Sequence, residues 1–421
     1  MNYTELGIRR DIVKLAEECE NELKDIFKGY EDNALLCSGK VLKAFHENYL
    51  SSTHFVEVTG YGYSDRGRDL LEKIYADIFH AEDALVRPQI MSGTHALTLA
   101  LFGLLKHGDT LLAISGHPYD SLQSIIGIKG NSENSLIKHG IKYEMIDLKN
   151  DDFDIESIQN RLMSHDIKMV EIQRSRGYAH RSSITIDKIE RVCKKIREID
   201  KNVIIMVDNC YGDFIEDKEP IEVGSDLIVG SLMKNLGGGA VKAGGYIVGK
   251  KDLVWQVAER FSAPCIGKDI GANFNQLESF YKGIYNAPSV VCSTLKTATL
   301  LSLMLGKLGY EVSPKWNEKR ADIVQTVTFY DREKMVKFCE SYQKGTAVDS
   351  FVTPTVASTP GYPHDEIMAS GSFTTGSTLE FSCDGPVVEP YTVYAQGGLT
   401  YDYGKLGIMI ALSNFLRKEG R

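Results

Sequence analysis

No two of the eight cysteines form a CxxC pair or show the spacing of a metal-ligand set, so neither a zinc site nor a disulfide framework is expected. They read as reduced thiols. No run of Lys or Arg interrupts a chain of net charge −9, which leaves no electrostatic footprint for a nucleic-acid partner. The opening residues, Met1 to Leu6 followed by Arg9 and Arg10, lack the apolar core of a secretory leader. No apolar stretch reads as long enough to cross a bilayer. Together these point to a cytoplasmic protein without a membrane partner. Internal repeats and low-complexity tracts are missing, and neither GxGxxG nor GxxxxGK[ST] follows a strand, which argues against a nucleotide-binding α/β protein. What remains is an ordinary globular composition, 43% apolar and 25% charged over 421 residues, enough for two domains.

Residues 5–28 carry apolar positions at helical spacing and predict an N-terminal amphipathic helix. Helical patterns recur at 68–80, 94–106, 119–128, 155–163, 186–199 and 253–261. Between them lie short apolar runs at 84–90, 110–115, 142–146, 169–172, 203–207, 227–230 and 245–248. Runs without polar alternation are strands buried on both faces, and their alternation with helices predicts a mostly parallel sheet built from crossovers. A helix over about 287–308 leads into a smaller α+β tail with strands near 326–329, 368–373 and 379–382, helix 334–342 and a closing helix near 402–416.

One segment carries more chemistry than the rest. A strand ends in Val207-Asp208-Asn209-Cys210-Tyr211-Gly212, and after the next strand comes Ser231-Leu232-Met233-Lys234, followed by Gly237-Gly238-Gly239. In a parallel sheet the carboxyl ends of neighbouring strands open on one crevice, so Asp208 and Lys234 can converge on one bound molecule. Pyridoxal 5′-phosphate chemistry uses this pair: lysine forms an imine with the aldehyde, and a carboxylate keeps the pyridine nitrogen protonated. A turn-capping aspartate and a solvated lysine account for the two residues equally well. Ser92-Gly93-Thr94-His95, between a strand and a helix, adds free amides and a helix dipole suited to a phosphate, and Ser231 adds a hydroxyl. The triple glycine allows close approach to a ligand or positive φ, and is also what a plain turn uses.

These motifs resemble the pyridoxal-phosphate enzymes of cysteine and methionine metabolism, in particular the methionine γ-lyase-like branch described as aluminium-resistance or cystathionine β-lyase-like proteins. The similarity extends to Thr59-Gly60-Tyr61-Gly62-Tyr63, Gly67-Arg68-Asp69, Gly116-His117-Pro118-Tyr119-Asp120, Gln173-Arg174-Ser175-Arg176-Gly177-Tyr178 and Gln396-Gly397-Gly398-Leu399-Thr400. It implies fold type I, aspartate-aminotransferase-like. The domains are then an N-terminal helical segment (1–60), a large cofactor domain (61–295) and a small C-terminal domain (296–421). It also implies a dimer of dimers with shared active sites. By the same resemblance Tyr119 stacks on the pyridine ring, and Tyr63 with either Arg66 or Arg68 reaches the phosphate of a neighbouring subunit. Arg176, or behind it Arg181, would hold the substrate carboxylate, since no arginine between Ser370 and Gln396 matches the family's usual one.

The implied reaction is β- or γ-elimination from a sulfur-containing amino acid. Lys234 moves the Cα proton, Asp208 stabilises the protonated ring, and Tyr119 or Tyr63 donates to the leaving sulfur. Fold and cofactor do not select chemistry. Transamination, racemisation, aldol cleavage, γ-replacement and a non-catalytic binding role therefore stand beside it.

Overall fold

Branched apolar residues dominate the seven strands of the larger sheet: β1 (Asp83–Arg87), β2 (Thr110–Ala113), β3 (Lys142–Met145), β4 (Ile167–Gln173), β5 (Ile204–Asp208), β6 (Leu227–Ser231) and β7 (Gly245–Gly249). The computed structural model describes residues 3–59, 61 and 64–417. Strand order is β1-β7-β6-β5-β4-β2-β3. All pairings among β2 to β6 are parallel, whereas β7 runs antiparallel to both β1 and β6. The reversal has a local cause: the β6–β7 connection holds only a three-residue 3₁₀ turn, Asn235–Gly237, too little for the crossover that a parallel neighbour needs.

The helices in chain order are α1 (Arg10–Glu22), α2 (Lys24–Glu47), α3 (Arg66–Ile78), α4 (Gly93–Leu104), α5 (Asp120–Ile126), α6 (Ile155–Leu162), α7 (Ile186–Ile199), α8 (Lys251–Phe261), α9 (Leu277–Lys307), α10 (Arg332–Gln343) and α11 (Tyr401–Phe415). Alternate residues of each strand face opposite cores. Ile205, Val207 and Ile228 pack with α3 and α7, while Ile204, Met206, Leu227 and Val229 pack with α4 and α8. This period of two decides where later residues point.

A second, antiparallel sheet is formed by β8 (Glu311–Ser313), β9 (Gln325–Thr328), β10 (Ala357–Ser358), β11 (Asp365–Ser370), β12 (Ser382–Pro386) and β13 (Thr392–Gln396), in the order β10-β11-β12-β13-β9-β8. One face, with Val327, Ile367, Cys383, Val393 and Ala395, packs under α1, α10 and α11. The alternate residues face the other way. Helix α9 joins the two cores, giving residues up to Leu295 to the first and Leu300 to Leu305 to the second.

Several expectations change. α9 is long and apolar enough to span a bilayer, contrary to the reading that no stretch is, but 78% of its most apolar window is buried inside the protein. It starts at Leu277 and not near residue 287, and Pro288 sits within it. The N-terminal helix breaks at Leu23, and α2 continues to Glu47. In the tail, the run at 379–382 only touches β12, and β8, β10 and β13 were not anticipated.

Candidate active site

The carboxyl ends of β4, β5 and β6 open on a cavity of about 420 Å³, closed on its far side by the second sheet. Alternation places Gln173 and Asp208 in the rows of Met169 and Met206, hence on the α4 side, and both line the cavity. Asp208 is 3% exposed, and its Oδ1 accepts the Cys210 N–H at 3.0 Å. Lys234 lines the same cavity from the β6–β7 connection, its Nζ 3.8 Å from the centroid of the Tyr211 ring. Tyr211 takes φ +69°, an uncommon left-handed backbone that carries its ring there.

Burial disfavours the Lys234 charge, the polar groups around it, Asp208 the acid among them, pull the other way, and the net direction is upward. Burial likewise pushes the Asp208 carboxyl up, against the pull of Lys234 and the Cys210 N–H. Lys234 thus lies against an aromatic face and near a desolvated carboxyl group.

The N-terminus of α4 forms another wall. Ser92 Oγ accepts the His95 N–H at 3.1 Å and the Ser92 carbonyl the Ala96 N–H at 3.0 Å, which leaves the Gly93 and Thr94 amides of the first turn without intrahelical acceptors. Gly93 lies so close to the strand ends that a Cβ there would meet Cys210 Sγ at 3.1 Å and Ser231 Cβ at 3.2 Å. Thr94 Oγ1 and Tyr119 OH are 2.9 Å apart, and Gln173 Oε1 accepts the Tyr119 N–H at 2.7 Å. Burial holds the Tyr119 hydroxyl well above its ordinary range, so it stays protonated. An amine, a buried carboxylate, an aromatic ring and a helix N-terminus around one cavity fit pyridoxal phosphate in every chemical requirement.

The structure thus brings Ser92, Gly93, Thr94, Tyr119, Asp208, Ser231 and Lys234 together. It places the others elsewhere. His95 does not line the cavity; its Nδ1 accepts the Met91 N–H at 3.2 Å and braces the loop. Arg68 is buried against Asp69 at 3.0 Å and the Asp269 carbonyl at 3.0 Å, while Arg66 is exposed at the start of α3. Tyr63 lies outside the described residues. Arg176 donates to Ser313 Oγ at 3.1 Å, and Arg181 to the carbonyls of Gln173 and Ser175 at 2.8 and 2.7 Å; both border a different cavity. Of the triple glycine, Gly238 and Gly239 have φ of +50° and +72°, and the run presses against α9 and Leu399 and lies outside the cavity lining.

Sequence reading passed over Tyr211, although it stands three residues after Asp208, and the row Glu366, Asp384 and Tyr394, which the second sheet turns into the cavity. It also gave no role to Glu171. That side chain is 2% exposed with both carboxyl oxygens unpartnered among the described residues, and burial together with the Asp208 charge raises it from 4.5 to about 8. A raised acid in the folded state means that, from about pH 4.5 to 8, the unfolded chain binds fewer protons. Stability therefore falls as pH rises through that window and levels off above it. Glu171→Gln is expected to remove a loss on the order of a few kcal/mol between pH 5 and 9. Thermal melts of both proteins across that range check it; parallel pH profiles would sink the assignment.

The sequence matches the family model described as "Methionine gamma-lyase" over residues 12–416. It is 44% identical over 408 residues to the uncharacterised protein YnbB of Bacillus subtilis (strain 168), covering 96% of this chain and 97% of that one. The crystal structure of a Clostridium acetobutylicum protein, named as a candidate cystathionine beta-lyase involved in aluminum resistance, superposes with a TM-score of 0.95 at 43% identity, covering 98% of each chain. The fold is shared more distantly with the pyridoxal-5′-phosphate-dependent protein YhfS of Escherichia coli, with a TM-score of 0.62 at 18% identity, covering 89% of this chain and 94% of that one. A match that spans nearly the whole chain, on a fold type I scaffold with Lys234 and Asp208 lining one cavity, makes this chain a member of the methionine gamma-lyase family of pyridoxal-phosphate-dependent lyases.

Proposed function

We propose that this lyase cleaves a carbon–sulfur bond in a sulfur-containing amino acid by β- or γ-elimination. The observation that carries the reading is the convergence of Lys234, Asp208 and the α4 N-terminus on one cavity, and the family and the name of the Clostridium relative support it. Lys234 would anchor the cofactor, Asp208 would meet its ring nitrogen, Tyr119 would lie on its ring, and Ser92, Gly93, Thr94 and Ser231 would hold its phosphate. Bound there, pyridoxal phosphate supplies an aldehyde for amines and a sink for the electrons released at Cα.

This chain's residues do the rest. With the cofactor bound, Lys234 Nζ would be the group that moves the substrate's Cα proton. Tyr119 Oη, kept protonated by burial, donates to the departing sulfur. For a cysteine thioether, substrate and one water give a thiol, pyruvate and ammonia.

The assembly we infer is a dimer of dimers in which Tyr63 and the exposed Arg66 reach a neighbouring subunit's phosphate. Leu35, Leu36 and Leu42, exposed along α2, support a subunit interface. Incubating the cofactor-loaded protein with thioether amino acids is expected to release thiol, keto acid and ammonia in equal amounts. Keto acid formed without ammonia, with the amino group passed to an acceptor, would mark a transaminase.

A further inference from the structure

The cavity is charged in one direction. Among the described residues its lining holds one cation, Lys234, against the carboxyl groups of Asp120, Asp208, Glu366 and Asp384. Asp208 belongs with Lys234, and Asp120 is already paired with Lys129 at 2.6 Å. Glu366 and Asp384 remain, on adjacent strands and on the same face: β11 and β12 set Met368 opposite Asp384 and Glu366 opposite Pro386, in a row that alternates with the buried Ile367, Cys383 and Val393.

Glu366 is 3% exposed and lines the cavity, yet among the described residues its Oε1 has no hydrogen-bond partner. Native folds seldom leave a buried carboxyl oxygen unmatched unless something else supplies the donor. Asp384 accepts Tyr178 Oη–H at 3.0 Å and a long contact from Gln396 Nε2 at 3.5 Å. Burial pushes its carboxyl up to about 7, so a cation beside it would restore its charge. Tyrosine rings wall these two acids, with the Tyr178 centroid 4.9 Å from Tyr394 and 5.7 Å from Tyr362. Aromatic faces next to two buried carboxyl groups, one with an unmatched oxygen, are the chemistry that selects a desolvated cation. The same Glu366 and tyrosines also border a smaller adjoining cavity of about 180 Å³, so there is space beside them for a side-chain terminus.

We propose that Glu366 and Asp384, walled by Tyr178, Tyr362 and Tyr394, form a subsite for a positively charged substrate terminus, making the preferred substrates thioether amino acids with a distal ammonium. This rests on the carbon–sulfur lyase reading. An ammonium gives its N–H to the unmatched Glu366 oxygen and its charge to the rings. A propyl end of the same length gives neither, and a carboxylate end is repelled.

The test compares S-(2-aminoethyl)cysteine with its neutral isostere S-propylcysteine on the pyridoxal-phosphate-loaded protein. The ammonium compound is expected to have a kcat/KM at least about tenfold higher, the value of one charge-assisted hydrogen bond in a buried site. Because the ratio is taken within each protein, Glu366→Gln is expected to bring it to within about threefold, even if that variant is less stable. Asp384→Asn serves as the second variant should the first fail to fold. Equal kcat/KM for both compounds, or an undiminished preference in both variants, overturns the subsite. If neither compound is turned over, the lyase reading falls, and the subsite is then judged by calorimetric affinities of the same two compounds: a tenfold preference for the ammonium upholds it and equal binding rejects it.

Discussion

Lys234→Ala is expected to fold, to lose at least about 10³-fold in kcat on any thioether substrate, and to carry no borohydride-fixed pyridoxyl group on the peptide containing position 234. The size of the effect follows from the geometry. Lys234 is the one amine lining the cavity among the described residues, so no neighbour can take over either the anchoring or the Cα proton. The fold should tolerate the change, because the Lys234 side chain lies against the Tyr211 ring and is a member of none of the apolar cores. Peptide mass mapping after reduction, beside a steady-state assay, reads both consequences. Retention of more than a tenth of the activity, or a pyridoxyl group fixed on another lysine, would falsify the assignment.

Asp208→Asn should separate charge from structure. Asparagine keeps an oxygen where Asp208 Oδ1 accepts the Cys210 N–H at 3.0 Å, so the turn that positions Tyr211 has no cause to move. What disappears is the anion that would hold a proton on the cofactor's ring nitrogen. A fall of about 100-fold or more in kcat is expected, the range for removing one preorganised electrostatic partner, with pyridoxyl still fixed on Lys234 by borohydride. Unchanged kcat would mean that the ring nitrogen lies elsewhere.

Much of this site was legible because its residues are close in sequence. Asp208 ends β5 and Lys234 follows β6, its neighbour in a buried sheet, and buried parallel strands announce themselves as apolar runs. Ser92 to Thr94 were legible as a strand-to-helix junction. The second sheet was hard to read for a physical reason: its strands carry polar residues at alternate positions, and a sequence does not distinguish a face turned to solvent from one turned into a cavity. Glu366 and Asp384 therefore carry no signal that sets them apart from surface acids, and β13, with Thr392 and Gln396 at its ends, was passed over. For the arginines, a sequence does not show which donors the chain itself already uses. A guanidinium suits a carboxylate ligand, but Arg174 spends its donors on Asn209, the Gly212 carbonyl and Glu216, clamping the turn after β5. Arg176 and Arg181 are likewise used within the chain.

The alternation in β11 to β13 also bears on how such an enzyme diverges. Ile367, Cys383 and Val393 pack the second sheet against its helices, while Glu366, Asp384 and Tyr394, each one residue away, line the cavity. Foldability and selectivity are written on separate, interleaved positions. A single codon change in the second set can redirect the enzyme to a new side chain without passing through an unfolded ancestor, which gives one scaffold room to drift among substrates while its cofactor chemistry stays fixed.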